Sequence, residues 1–339
     1  MLDFSTWLDL PLIWGGLIAT AVLLYVLLDG FDLGVGILFP FAPSDKCRSR
    51  MMNSVAPFWD GNETWLVLGG GGLLAAFPLA FAVIMPALYL PIIFMLLGLI
   101  FRGVAFEFRF KAEGWHRQLW DYSFFGGSVI ATFMQGIVLG NFVQGFTVEG
   151  RAFAGGALDW INPLALATGV ALIGGYGLLG ATWIHMKTED KTQDWARKLV
   201  PLFLLWTGAA MVMISVAMPL MFERIYSLWF SMPNLLYFSV VPLLTALCFL
   251  MVFLDIRKGR EVRPFIFSNA IFLFGFIGLG ISLWPWVVPY EVTLSEGAAA
   301  STSLSLLLIG TVILLPVILT YTAWSYYVFR GKSSHEALY

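Results

Sequence analysis

Charge is scarce in this sequence. Asp, Glu, Lys and Arg make up 12% of its 339 residues, against about 25% in soluble domains. No polar stretch is long enough to hold a soluble domain between the apolar runs. With 59% hydrophobic residues and a mean hydropathy of +0.84, the chain reads as a polytopic membrane protein. A basic surplus is also missing: the net charge is −2, so nucleic acid is not expected as a partner. Cysteine is nearly absent. Cys47, read as lying in a loop, and Cys248, inside a helix, build neither a disulfide framework nor a cysteine metal site. The start of the chain, MLDFSTWLDLPLIW, carries Asp3 and Asp9 and lacks the positive region that opens a cleavable signal peptide.

Histidine is the most telling shortage. The three imidazoles, His116, His185 and His335, all fall in polar breaks or the tail. Membrane haem proteins need axial ligands at depth, usually His or Met. The 13 methionines are scattered through apolar helices and read as packing. Copper lacks a histidine cluster, so no metal site and no cofactor held by this chain's own ligands are expected. Any redox role then depends on a partner. The glycine-rich runs lie inside apolar segments, without the strand–loop–helix context of a nucleotide site. No Ser or Cys is placed beside a histidine for nucleophilic chemistry.

What the sequence has in abundance is apolar length. A span needs about 20 mostly apolar residues, and nine such stretches are expected near residues 10–40, 56–77, 79–101, 120–144, 160–185, 199–222, 235–255, 264–288 and 303–329. Helices follow because lipid cannot satisfy an open backbone; period-2 alternation, the mark of a barrel, is absent. The fold class expected is an all-α integral membrane protein, a single polytopic domain over residues 1–339, with two four-helix bundles plus one helix. Of the 19 Lys and Arg, all but Arg151 and Arg224 fall in one set of breaks. The positive-inside rule then puts the N-terminus in the periplasm and the C-terminus in the cytoplasm. Trp7, Trp14, Trp284, Trp286, Trp324, Tyr326 and Tyr327 read as interfacial belts.

Acids inside such spans are costly and demand a reason. Asp29 and Asp32 are three residues apart and so share a helix face; Asp60 and Glu63 repeat the spacing at the start of the second span. Arg102, Glu107 and Arg109 follow at the end of the third, so the topology gathers five carboxylates and two guanidinium groups on one side. Two readings stay open. In one, the acids cap helix starts and pair with Arg102 and Arg109, aided for Asp60 and Glu63 by the helix dipole. In the other they form a proton path from the cytoplasm. Gly69–Gly72 permits close helix packing or a broken helix.

Several motifs carry a resemblance. DGFDLGVG at 29–36, NSVAPFWDGNETWL at 53–66 and FRGVAFEFR at 101–109 resemble subunit II of the cytochrome bd-type quinol oxidases. GNFVQG at 140–145, WPWVVP at 284–289 and YTAWSYYVFRGK at 321–332 extend the resemblance from end to end. It implies a subunit of a bacterial inner-membrane quinol:oxygen oxidoreductase of aerobic respiration. In that family subunit I carries the haems and the quinol site, and subunit II carries no haem. Expected partners are therefore haem-bearing subunit I, a small accessory subunit, quinone and lipid, with a structural quinone in some members.

The roles attributed to subunit II are assembly, haem retention, an oxygen route and a proton route. By resemblance Asp60 is the acid of a proton path, with Glu63 and Glu107 as further candidates. Trp65 marks the lipid-side entrance of an apolar oxygen tunnel. Asp29, Asp32, Arg102 and Arg109 are structural or electrostatic. Glu107 stands where many members have Asp, Glu63 where some have Gln and Gly103 where some have Pro. The extra carboxyl of Glu63 would act on Asp60 by like-charge repulsion. Two other classes fit the residues alone: a proton-coupled secondary transporter, although its site belongs near the midplane with broken helices and repeats, and a purely structural scaffold.

Overall fold

The computed structural model describes residues 4–333. Long helices dominate: α1 (Leu10–Leu38), α4 (Pro78–Arg109), α5 (Gly114–Gln144), α6 (Pro163–Lys187), α7 (Asp190–Met221), α10 (Val240–Arg257), α11 (Arg263–Leu283) and α13 (Ser301–Val328). Shorter helices lie between them: α2 (Asp45–Val55), α3 (Trp59–Ala76), α8 (Glu223–Phe230), α9 (Asn234–Phe238) and α12 (Leu294–Gly297). Two small hairpins, β1 (Val148–Glu149) with β2 (Ala152–Phe153) and β3 (Trp286–Val288) with β4 (Val292–Thr293), close the end opposite the basic breaks.

Eight helices are long and apolar enough to cross a membrane, with α9 and α10 forming one of them. The second expected stretch, α3, falls outside that set because its first two turns, WDGNETW, are polar. Neighbouring helices bury Asn62 and Trp65 of those turns, while Asp60, Gly61 and Thr64 stay exposed. Several boundaries differ from the sequence reading. α4 runs on to Arg109 rather than stopping near 101, so Arg102 and Arg109 are helical and buried. A charge does not end a helix when a partner waits for it. The eighth stretch ends at Leu283 rather than 288, where Pro285 supplies no amide proton and β3 begins. Cys47 lies in α2, not in a loop, and is buried.

The helices close into two rings of four. α1, α3, α4 and α5 are successive neighbours, as are α6, α7, α10 and α11, and the rings meet where α6 packs on α1 and α5. α13 stands outside both and touches α1 and α3. The second half of α1 lies at the junction and is buried without a break from Asp29 to Leu38. That is why DGFDLGVG carries so many glycines. A Cβ on Gly34 would sit 1.9 Å from the Tyr176 carbonyl oxygen, and one on Gly180 would sit 2.3 Å from the Gly34 carbonyl carbon, so the two backbones touch. Gly98 and Gly127 join α4 to α5 in the same way.

Gly69 and Gly72 face Val22 and Ile18 on α1, and α3 passes through the run unbroken. The helix is not broken there; close packing accounts for Gly69 and Gly72, whereas Gly70 and Gly71 have nothing within 4 Å of an added Cβ. An aromatic stack seals the junction at the basic end: Phe31 lies on Trp183 with centroids 4.0 Å apart, and Phe58 lies on Tyr326 at 4.4 Å. Two residues read as belt members are interior. Trp14 is buried and donates its indole N–H to the Leu304 carbonyl at 3.2 Å, and Tyr326 reaches inward to Asn62.

Gly34→Ala should lower stability by about 1–3 kcal/mol through overpacking, visible as a reduced unfolding temperature in detergent. Gly16→Ala, where nothing lies within 4 Å of the added carbon, should change it by no more than about 0.5 kcal/mol.

Candidate functional site

The largest fully buried side chains are two arginines, Arg102 and Arg109. Isolated buried cations are untenable, so each must be met by carboxylates. Arg102 projects from α4 to Asp29 and Asp32 on α1 and Glu63 on α3. Its Nη2 lies 2.9 Å from Asp29 Oδ1 and 3.9 Å from Asp32 Oδ2, and its Nη1 lies 3.6 Å from Glu63 Oε2. Asp29 and Asp32 are fully buried, whereas the Glu63 side chain is 27% exposed. Three carboxyls thus surround one guanidinium. The expected i, i+3 spacing on α1 and the start of α3 bring them together.

Polar side chains from five more positions extend the cluster. Asn62 Nδ2 donates to Asp32 Oδ2 at 2.7 Å and to the Leu28 carbonyl at 3.2 Å. The Tyr326 hydroxyl, from α13, donates to Asn62 Oδ1 at 2.9 Å. On the other flank Tyr25 stands beside Asp29, one turn earlier on α1. Gln135 on α5 donates to the Tyr25 hydroxyl at 2.6 Å and accepts from Tyr176 of α6 at 3.0 Å. Six helices, α1, α3, α4, α5, α6 and α13, therefore contribute to one polar cluster.

Arg109 belongs to a different cluster. Two helical turns separate it from Arg102, about 10 Å along the axis. Its Nη2 meets Asp45 Oδ1 at 2.8 Å, its Nε meets Asp121 Oδ1, and its Nη1 donates to Ser49 at 3.1 Å. Arg117 joins at Asp45 (2.9 Å) and Arg48 at Asp121 (3.5 Å). The expectation of one pool of five carboxylates facing Arg102 and Arg109 is thereby corrected. Asp45 of α2 and Asp121 of α5, which the sequence reading passed over, take Arg109.

Asp60 and Glu107 are exposed on this chain and outside both clusters. Trp65 is 2% exposed and packs with Ala21 and Tyr25 of α1, with Leu315 and Ile318 of α13 against the same group. Of the members the sequence reading missed, Tyr25 had a signal, since it precedes Asp29 by four residues. Asn62 had one too, lying within the motif between Asp60 and Glu63. Gln135, Tyr176 and Tyr326 had none, because their partners lie far off in the chain.

The histidines do not converge. His116 stacks on Trp115 with centroids 3.8 Å apart, and a ring nitrogen of buried His185 lies 3.3 Å from the Arg260 carbonyl oxygen. His335 lies outside the described residues. Among the described residues no group of three or more His, Cys, Asp or Glu could hold a metal ion.

Comparison with known proteins gives the arrangement a context. The family model described as cytochrome bd terminal oxidase subunit II matches residues 10–329. Subunit 2 of the cytochrome bd-I ubiquinol oxidase of Escherichia coli (strain K12) is 30% identical over 373 residues, covering 99% of this chain and 97% of the relative. Subunit 2 of the cytochrome bd ubiquinol oxidase of Bacillus subtilis (strain 168) is 30% identical over 336 residues, covering 96% and 97%. Among solved structures, a chain of the bd oxidase from Geobacillus thermodenitrificans superposes with a TM-score of 0.73 at 19% identity, covering 95% of this chain and 99% of that one.

Arg102→Leu would strand three carboxyls and should cost about 3–5 kcal/mol, read as loss of folded protein after detergent extraction. Arg102→Lys keeps the charge and should lose less. Asn62→Ala, which unpairs Asp32 and Tyr326, should cost about 1–3 kcal/mol in the same assay.

Proposed function

The chain belongs to the cytochrome bd terminal oxidase subunit II family, and from that premise we propose that it is the haem-free subunit of a bacterial quinol:oxygen oxidoreductase. In this reading it sits in the inner membrane against a haem-bearing subunit I, and its own residues hold no redox centre. The carrying observation is that the match runs the length of the helical body, from residue 10 to 329. The relatives are named as ubiquinol oxidase subunits, which supports quinol as the electron donor of the assembled enzyme.

Nine spans with the N-terminus in the periplasm follow from counting α3 as a span. At 18 residues it is about 27 Å long, close to the roughly 30 Å hydrocarbon core. Within its polar first turns Asn62 and Glu63 turn inward to Asp32, Tyr326 and Arg102, while Asp60 and Thr64 face outward. With nine crossings, 17 of the 19 Lys and Arg (all but Arg151 and Arg224) fall on one side, which the positive-inside rule makes cytoplasmic. The Arg102 cluster then lies toward the cytoplasmic edge.

Two conduits belong to the proposal. The Arg102 cluster, reached through Glu63, is a proton path on the cytoplasmic side, with exposed Asp60 and Glu107 presented outward toward a neighbouring subunit. Three carboxyls around one guanidinium leave acceptors that a proton can occupy. The seam of Trp65 between α1, α3 and α13 is the oxygen route; oxygen partitions into hydrocarbon, and Ala21, Leu315 and Ile318 give this seam mostly apolar walls.

Tagged protein purified in mild detergent should bring down a second, haem-bearing chain with a visible absorbance spectrum, and this chain alone should be colourless. A colourless monomer that moves a solute into liposomes would defeat the reading. For the oxygen route, Ala21→Phe, which fills the space against Trp65, should slow oxygen rebinding after flash photolysis by about tenfold while sparing the KM for quinol. Unchanged rebinding would remove the tunnel from this seam.

A further inference from the structure

The hydrogen bonds that reach the Arg102 cluster share one polarity. On the α6 side Tyr176 donates to Gln135 Oε1, and Gln135 Nε2 donates to the Tyr25 hydroxyl. The Tyr25 oxygen is thereby an acceptor, and Tyr25 stands one turn before Asp29 on α1. On the α13 side Tyr326 donates to Asn62 Oδ1, and Asn62 Nδ2 donates to Asp32 Oδ2. The α13 arm runs from a phenol through a carboxamide to a carboxyl, and the α6 arm from a phenol through a carboxamide to the Tyr25 hydroxyl, one turn from Asp29; every one of these donors points toward the cluster.

A carboxamide is a poor link in a proton chain. Its oxygen accepts and its nitrogen donates, but passing a proton through it requires an imidic acid tautomer of high energy. A hydroxyl or carboxyl relays one without that cost. Both arms contain such an amide, Asn62 buried and Gln135 half-buried. Glu63 differs: its carboxyl meets Arg102 directly and is partly open.

We infer that Asn62, which holds Asp32 as an acceptor, and Gln135, which holds the Tyr25 hydroxyl one turn from Asp29, are positioning residues that block proton passage along both arms, leaving Glu63 as the gate through which the cluster exchanges protons. The inference rests on the reading of the cluster as a proton path. The charged and titratable groups facing Glu63 are Arg102 from α4, Asp29, Asp32 and Tyr25 from α1, and Asp60 one turn back on its own helix. A proton from outside binds the Glu63 carboxylate. Glu63 then hands it to the carboxylate of Asp29 or Asp32 and is ionised again, while Arg102 stays protonated throughout.

The test uses the intact oxidase complex, with turnover measured at saturating quinol and oxygen and haem content as the check on assembly. Glu63→Gln should lower kcat by about tenfold or more with KM for quinol within about twofold, and Glu63→Asp should restore at least about a third of the rate. Tyr326→Phe should lower kcat by no more than about threefold. In the Glu63→Gln background, Asn62→Asp replaces the blocking amide with a group that binds and releases protons. It should raise kcat about threefold, and Asn62→Leu should not.

A Tyr326→Phe complex as slow as Glu63→Gln would overturn the inference, as would a fully haem-loaded double variant with no recovery. If the double variant lacks haem, Tyr326→Phe decides alone. Should Glu63→Gln turn over normally, the proton-path reading itself falls. Should it be slow and the arms also prove conductive, only the block by the amides falls.

Discussion

One buried guanidinium organises the first ring of helices. Arg102 can leave water only because α1 brings Asp29 and Asp32 to it and α3 brings Glu63. Each of those carboxyls would in turn be untenable at that depth without the cation. The requirement is mutual and spans three helices, so their rotation about their own axes is set by it. Apolar packing alone leaves a membrane helix much freer to turn, since lipid and leucine are equivalent neighbours. The polar chain through Asn62, Tyr25 and Gln135 extends the same constraint to α5, α6 and α13.

Close backbone contact makes this convergence geometrically possible. With Gly34 against Gly180 and Gly98 against Gly127, α1, α4, α5 and α6 approach near enough for short side chains to meet. Aspartate reaches across such a gap where a longer spacing would need glutamate. The second cluster, around Arg109, obeys the same electrostatics under looser conditions. Its partner Asp45 is half exposed, and Arg48 and Arg117 share the load at the rim. It ties the short helix α2 to the ends of α4 and α5 and resembles an interfacial fastening more than a site.

Much of the helical body was legible in the chain because hydropathy reports length directly. The apolar runs and the bias of Lys and Arg to alternate breaks needed no tertiary knowledge. Helix ends were less legible: α4 continues through Arg102 to Arg109 because partners elsewhere in the sequence accept those charges, and composition carries no sign of them. Within the site, Asp29, Asp32, Glu63 and Arg102 could be grouped by i, i+3 spacing and topology. Arg109 was misgrouped, since Asp45 and Asp121 looked like ordinary loop and helix-start acids. Trp14 and Tyr326 looked like belt aromatics, and only their partners, the Leu304 carbonyl and Asn62, mark them as interior. Gln135 and Tyr176 sit in apolar surroundings with no local pattern to distinguish them.

The last long helix makes few contacts, yet its far end is tied down firmly. Tyr326 bonds to Asn62; beyond it, Lys187 donates to the carbonyls of Phe329 and Gly331. Ser333 pairs with Lys187 and Arg50 through backbone oxygens, and Lys332 bonds to the Thr188 carbonyl and to Glu261, whose carboxyl it holds below the usual range. During synthesis these ties form after every other helix has emerged from the ribosome. The Asn62 amide, buried at the heart of the first ring, therefore waits for a tyrosine made some 260 residues later. Maturation of the core is thus coupled to synthesis of the segment around Tyr326, and a product terminated before it carries an unfinished interior that quality-control proteases can recognise.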